Sequence, residues 1–132
     1  MAQRTKKVLF SNRSIKPVFT DARGIISDIL EEPVSHIGLV TFTKGAARGN
    51  HYHKKSVQYS YILKGKVRLD ISSLDRKKKK KYMLKEGDLT TIPTQTIHTY
   101  TALTPALMLD ITTYDQKKNR YEEDTYRIKS RS

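Results

Sequence analysis

The stretch Arg48–Gly65 reads RGNHYHKKSVQYSYILKG, and it decides the fold. His51 and His53 are separated by a single residue. On a β-strand, residues i and i+2 project to the same face, about 6–7 Å apart. Two imidazoles placed in this way can converge on one ion at metal–nitrogen distances of about 2.0–2.1 Å. A third histidine, His98, closes the later stretch GDLTTIPTQTIH, which runs from Gly87. A close pair and a distant single histidine are what a metal-binding β-barrel needs.

Working outward, the chain reads as strand after strand. Residues 36–43 are rich in β-branched and aromatic types, and 48–53, 57–63, 66–71, 79–84, 88–92, 97–101 and 106–114 continue the pattern. That rhythm predicts an all-β sandwich or barrel. Lys64-Gly65 reads as a hairpin corner, and Lys44-Gly45 as a turn. Before the barrel, Val8–Phe10 and Val18-Phe19 read as edge strands divided by Pro17. Asp21–Gly24 reads as a turn that opens a β-type stretch to Leu30. After it, residues 115–127 read as a short helix or an irregular closing segment. The expected organisation is a single domain over residues 1–132, with an N-terminal arm and strands at 1–35, a barrel core at 36–114 and a tail at 115–132.

Alternation then sorts the side chains. If His51 and His53 face the interior, Asn50 and Tyr52 face away, Gln58, Ser60 and Ile62 share one face of the next strand, and Tyr100 and Ala102 share the side of His98. The predicted pocket therefore holds three imidazoles and an amide near a tyrosine hydroxyl, at one end of a small barrel. A lone histidine is usually structural, and His36 is read that way because it matches no motif position.

The flanking residues carry a resemblance. Gly49, the His51-x-His53 pair, Gln58 and Gly65, followed by Gly87, Pro93 and His98, resemble in order and spacing the two motifs of the cupin superfamily. The similarity runs over about Thr43–Tyr114. It implies a cupin β-barrel, the double-stranded β-helix or jelly roll, and a metal set of His51, His53, Gln58 and His98. Gln58 stands where the family usually carries glutamate, which lowers the negative charge of the site. The implied cofactor is one divalent ion of zinc, nickel, iron or manganese, among which nitrogen and oxygen donors do not select.

A narrower resemblance bears on function. Arg48-Gly49-x-His51-x-His53-Lys54-Lys55-x-x-Gln58 is similar to the signature of nucleotide-sugar 3,4-ketoisomerases, and Tyr114–Tyr126 carries acidic and tyrosine residues in comparable order. The resemblance implies a substrate such as thymidine-diphosphate 4-keto-6-deoxyglucose and a domain-swapped homodimer. It also implies that His51 or His53 is the proton-transfer base, with Arg48 near the phosphates. Lys54 in the signature and Ser60 on the face of Gln58 are the further substrate-binding candidates. Those enzymes do not depend on a metal and generally lack a histidine at the position of His98, so its presence points to a metal-binding branch. The expected reaction is isomerisation or epimerisation through an enediolate in polysaccharide biosynthesis. A metal or a cationic side chain would stabilise the oxyanion, and a histidine or Tyr100 would move the proton. The competing classes are a non-catalytic sugar-binding or sensor cupin and a metal-dependent dioxygenase.

Composition sets the outer bounds. The chain's 132 residues suffice for one domain with a core. It has no cysteine, so any metal must sit on nitrogen and oxygen, and a cytoplasmic address is the default expectation. Nothing resembles a membrane span, and the first residues lack the apolar segment of a secretory signal. The formal charge of +13 concentrates anions around the protein. Part of it is the run Arg76–Lys81, RKKKKK, of which Lys77–Lys81 are the lysines. That run reads first as a solvated hairpin tip and second as an anion-steering patch. No aromatic residue interrupts it to stack on bases, so specific nucleic-acid binding is not expected.

Overall fold

The computed structural model describes residues 8–113 and 124–128. Every regular element among them is a strand. In chain order they are β1 (Ser11–Ser14), β2 (Phe19–Asp21), β3 (Gly24–Ile26), β4 (His36–Phe42), β5 (Ala47–His53), β6 (Gln58–Lys64), β7 (Lys66–Ser72), β8 (Lys79–Lys85), β9 (Asp88–Ile92), β10 (Ile97–Ala102), β11 (Ala106–Thr112) and β12 (Thr125–Arg127). Two five-stranded antiparallel sheets, β1-β9-β6-β11-β4 and β12-β5-β10-β7-β8, pack as a jelly-roll barrel, with β2 and β3 as a separate hairpin. This is the all-β cupin architecture that the sequence predicts.

Alternation produces the core. Inward residues of both sheets, among them Ile62, Val67, Leu69, Leu84, Ile92 and Met108, are almost fully buried and form one cluster. The first sheet is apolar on its outer face as well: Tyr59, Leu89 and Ile111 are buried beneath Ile15, Ile29, Leu30 and Val34 of the N-terminal segment. Among the described residues the second sheet has no such cover, and its outer residues are mostly polar or charged.

Several expectations change. Lys64-Gly65 is a corner but does not close a hairpin, because β6 and β7 belong to different sheets. Gly65 has φ +89, and a Cβ there would stand 2.3 Å from the Pro105 carbonyl oxygen, so only glycine lets the chain cross between the sheets at that point. Residues 8–10 are not a strand. β1 begins just after them, where it pairs with β9. The stretch from Gly24 is extended only to Ile26, in a hairpin around the expected turn, where Asp21 accepts from the backbone N–H and the guanidinium of Arg23. The tail is corrected in part: residues 125–127 form a strand on the edge of β5, with Thr125 opposite His53 and Arg127 opposite His51. The tail positions 115–123 lie outside the described residues. The β7–β8 hairpin places the lysine run at its tip and along β8, as expected. No helix is long and apolar enough to cross a membrane.

Candidate active site

Adjacent strands β5 and β10 bring the histidines together. His98 lies directly opposite His51, and the register slips by one residue immediately after that pair. The slip is a β-bulge at Gly49-Asn50, with φ +103 and +58 respectively. A Cβ on Gly49 would stand 2.8 Å from the His98 carbonyl oxygen, so glycine allows β5 to lie this close to β10. Ring centroids are 4.6 Å apart for His51 and His98, 5.0 Å for His51 and His53, and 5.3 Å for His53 and His98.

Two of the rings are fixed by backbone carbonyls. His98 Nδ1–H donates to the Thr96 oxygen at 3.0 Å, and His53 Nδ1–H donates to the Asp124 oxygen at 3.0 Å. In the neutral form each ring therefore keeps a bare Nε2. His98 is fully buried, and its Nε2 has no hydrogen-bond partner among the described residues. Burial, with His51 and His53 close by, pushes the His98 pKa down to about 3, so it is neutral at physiological pH. His53 Nε2 stands 2.9 Å from Gln58 Oε1. Two acceptors at that distance need a proton or a cation between them, or the Gln58 amide turned to present its NH2.

The donor set fits a metal ion. One nitrogen from each of His51, His53 and His98 lies within 4.8 Å of the others, and His98 offers a buried nitrogen with no partner among the described residues. The carbonyl bonds at Nδ1 of His53 and His98 are also the arrangement that orients imidazoles toward an ion.

The cavity in front of the cluster has a volume of about 260 Å³. Of the candidates, Arg48, His51, His53, Gln58 and Tyr100 line it. Arg48 donates to the Thr41 carbonyl at 3.2 Å and lies over the Phe42 ring at the rim. His98 sits behind this lining. Ser60 is fully buried, its hydroxyl hydrogen-bonded to Tyr100 Oη, and is not part of the lining. Lys54 is exposed, its Nζ 4.4 Å from the centre of the Tyr126 ring. Burial pushes the Tyr100 pKa up despite the bond to Ser60, so its hydroxyl stays protonated and keeps a proton to donate.

Two acids escaped the sequence reading. Asp110 on β11 lies opposite Ser60, two pairs along from Gln58 and Thr112, and lines the same cavity. Burial raises its pKa, with His36, His53 and Gln58 opposing the rise, and its Oδ1 has no hydrogen-bond partner among the described residues. Asp110 thus brings a carboxyl into the cavity, outside the cluster of the three histidines. Asp124 closes the other side. Its carboxylate accepts the backbone N–H groups of Lys54, Lys55 and Ser56 at 2.7–3.1 Å while its carbonyl holds His53. Burial pushes that carboxyl up, but the N–H groups of Lys55, Ser56 and Lys54 outweigh it and hold the pKa below the usual range. Register alone would have found Asp110; nothing local marks Asp124.

A sequence profile described as "Cupin domain" matches residues 38–112. The chain belongs to the cupin domain family. No curated protein matches it in sequence. Among solved structures, this cupin is similar to a dTDP-4-dehydrorhamnose 3,5-epimerase from Sulfolobus tokodaii, with a TM-score of 0.73 and 18% identity over 90% of this chain and 76% of that one. It is similar also to QdtA, a sugar 3,4-ketoisomerase from Thermoanaerobacterium thermosaccharolyticum in complex with TDP, with 0.73 and 20% over 90% and 88%. A third likeness is to WlaRA, a TDP-fucose-3,4-ketoisomerase from Campylobacter jejuni, with 0.70 and 16% over 89% and 88%. At these identities the likeness is one of fold.

Proposed function

We propose that this cupin modifies a nucleotide-sugar by proton transfer next to a carbonyl, as an isomerase or epimerase acting through an enediolate. The observation that carries the reading is the division of labour among the histidines. His98 is buried and held neutral, whereas half-buried His51 lines the cavity, where a substrate C–H can reach it. His51 is the base, and His53, oriented by Asp124, is its partner. Tyr100 stays protonated and supplies a donor to the developing oxyanion, and Arg48 at the rim takes the phosphates. The epimerase and ketoisomerases that share the fold support the choice of a nucleotide-sugar.

His51, His53 and His98, with the Gln58 amide oxygen beside them, are the residues that would hold a divalent metal. When bound, the metal would act as a Lewis acid toward the enediolate oxygen. The functional unit in this reading is a homodimer. Val18, Phe19, Ile25 and Ile26 on the β2–β3 hairpin, and Ile37 and Leu39 on edge strand β4, are each more than half exposed, an apolar surface that a second copy would cover.

The test is to incubate the protein, metal-free and loaded in turn with zinc, nickel, iron and manganese, with thymidine-diphosphate 4-keto-6-deoxyglucose in D2O. NMR follows deuterium entering the position next to the carbonyl. The expected result is exchange by the wild type and none by His51→Asn. Binding without exchange in every metal state would turn the reading into that of a sugar-binding cupin. Elemental analysis beside His98→Ala tests the metal separately, with loss of one equivalent expected in the variant.

A further inference from the structure

A second depression of about 480 Å³ lies on the outer face of the second sheet, away from the histidines. Its lining alternates with theirs along the same strands: Thr99 neighbours His98, and Asn50 neighbours His51. Ile97 and Ile128 supply apolar lining, while Arg76, Lys79 and Lys81 supply positive charge. Ile71, paired with His98, and Lys80 opposite it belong to the inner-facing register and border the groove through their backbone.

The hairpin tip that carries these cations is ordered by its own hydrogen bonds. Ser73 N–H donates to the Lys78 oxygen and Arg76 N–H to the Ser73 oxygen, both at 2.9 Å. Ser73 Oγ–H and Lys77 N–H both donate to Asp75 Oδ1, and Lys78 N–H donates to Ser73 Oγ. Arg76 adopts φ +63, an uncommon conformation for a residue with a side chain. Both nearby carboxylates are engaged elsewhere, Asp75 within the turn and Asp70 with Arg68 Nε at 2.9 Å. Arg76 and Lys79–Lys81 have no carboxylate partner among the described residues. Arg76, Lys79 and Lys81 thus stand beside Ile97 and Ile128 with no carboxylate among the described residues to neutralise them.

We infer that this groove is a second anion site, separate from the barrel, for a small di- or polyphosphate whose less polar body rests on Ile97 and Ile128. A guanidinium fork beside ammonium groups suits phosphate oxygens. The volume suits one small molecule, and among the described residues no aromatic side chain lines the groove to stack on the bases of a nucleic acid. The inference stands independently of the barrel chemistry, because the groove and the histidine cavity share no lining residue.

The experiment is an NMR titration of the full chain, observing amides and isoleucine methyls, with inorganic pyrophosphate, ADP and a short oligothymidine. It is run on the wild type, Lys79→Gln/Lys81→Gln and Arg48→Ala. The expected result is a saturable shift at Ser72, Thr99 and Lys79–Lys81 with pyrophosphate and ADP, and movement of the Ile97 and Ile128 methyls with ADP. Arg48→Ala should keep this affinity, and the lysine double variant should weaken it at least about tenfold, as expected for the loss of two charge-assisted hydrogen bonds. A response that disappears with Arg48→Ala would assign the anion to the barrel and overturn the proposal. So would a response unaffected by the double variant, isoleucine methyls that ADP leaves unmoved, or oligothymidine binding more tightly than ADP.

Discussion

The two faces of the β12-β5-β10-β7-β8 sheet are built from alternate residues of the same strands, yet they solve opposite electrostatic problems. Inside, His53, His98 and Tyr100 are buried and tethered, and His98 at least is held neutral by the lack of water. Outside, Lys79 and Lys81 stand exposed and charged across from Ser72 and Asp70. The chain thus carries part of its large positive charge within one strand's thickness of a buried ring that is held neutral. What separates the two is the alternation of the strands together with the few contacts that fix the inner rings. Substitutions on the inner side and at its supports should be costly, and those on the outer side nearly free.

The sharpest way to break this contrast is Asp124→Ala. The change leaves three backbone N–H groups at Lys54–Ser56 without their acceptor and releases the tail strand beside His53. An uncompensated buried donor costs about 1–3 kcal/mol, so the expected loss is about 4 kcal/mol, measured by urea denaturation. Asp124→Asn, which keeps one acceptor, should lose about half as much. A loss within error of zero for the alanine variant would mean that Asp124 does not hold the inner face in place.

Gly49→Ala comes next. The bulge demands φ +103 and leaves no room for a Cβ against the His98 carbonyl. Strain and displacement together should cost about 3 kcal/mol and separate His51 from His98, which halved metal uptake or a changed histidine NMR pattern would reveal. A fully stable variant with unchanged histidine resonances would show that β5 and β10 tolerate a wider spacing.

How far this contrast could be read from the sequence depended on whether a feature was periodic. The i, i+2 pair at His51 and His53 and the shared face of His98 and Tyr100 follow from strand geometry, so the interior set was legible. The bulge at Gly49-Asn50 was not, although it is what brings that pair up to His98. Asp110 enters the cavity through the register of β11 on β6, a pairing of segments distant in sequence that composition does not encode. The corner at Gly65 looked like a hairpin because glycine signals a change of direction but not which sheet the next strand joins. Ser60, on the predicted face, proved to lie under Tyr100 rather than in the cavity, since alternation fixes side but not depth.

The pH dependence of stability sharpens the comparison further. His98 titrates at 6.5 when exposed in the unfolded chain and at about 3 in the folded protein. Below about pH 6.5 the unfolded state therefore binds the extra proton. The contribution is fully present above that pH and is lost progressively as pH falls toward 3. By about pH 5 the loss should reach about 2 kcal/mol. His98→Leu, measured by denaturant titration at both pH values, should lack this part of the slope. An unchanged slope would mean that water reaches the ring and that the inner face is wetter than its geometry suggests.

The smallest expected effect belongs to the outer face. Lys79 and Lys81 are exposed, make no ion pair among the described residues, and stand beside other cations. Lys79→Gln/Lys81→Gln should therefore shift Tm by no more than about 2 °C, and upward at low salt, because it removes like-charge repulsion without removing packing. The upward shift should shrink as added salt screens the remaining lysines. A fall of several degrees at all salt concentrations would show that these side chains brace the sheet through their aliphatic stems. The outer face would then be part of the fold's support rather than a surface left open for an anion.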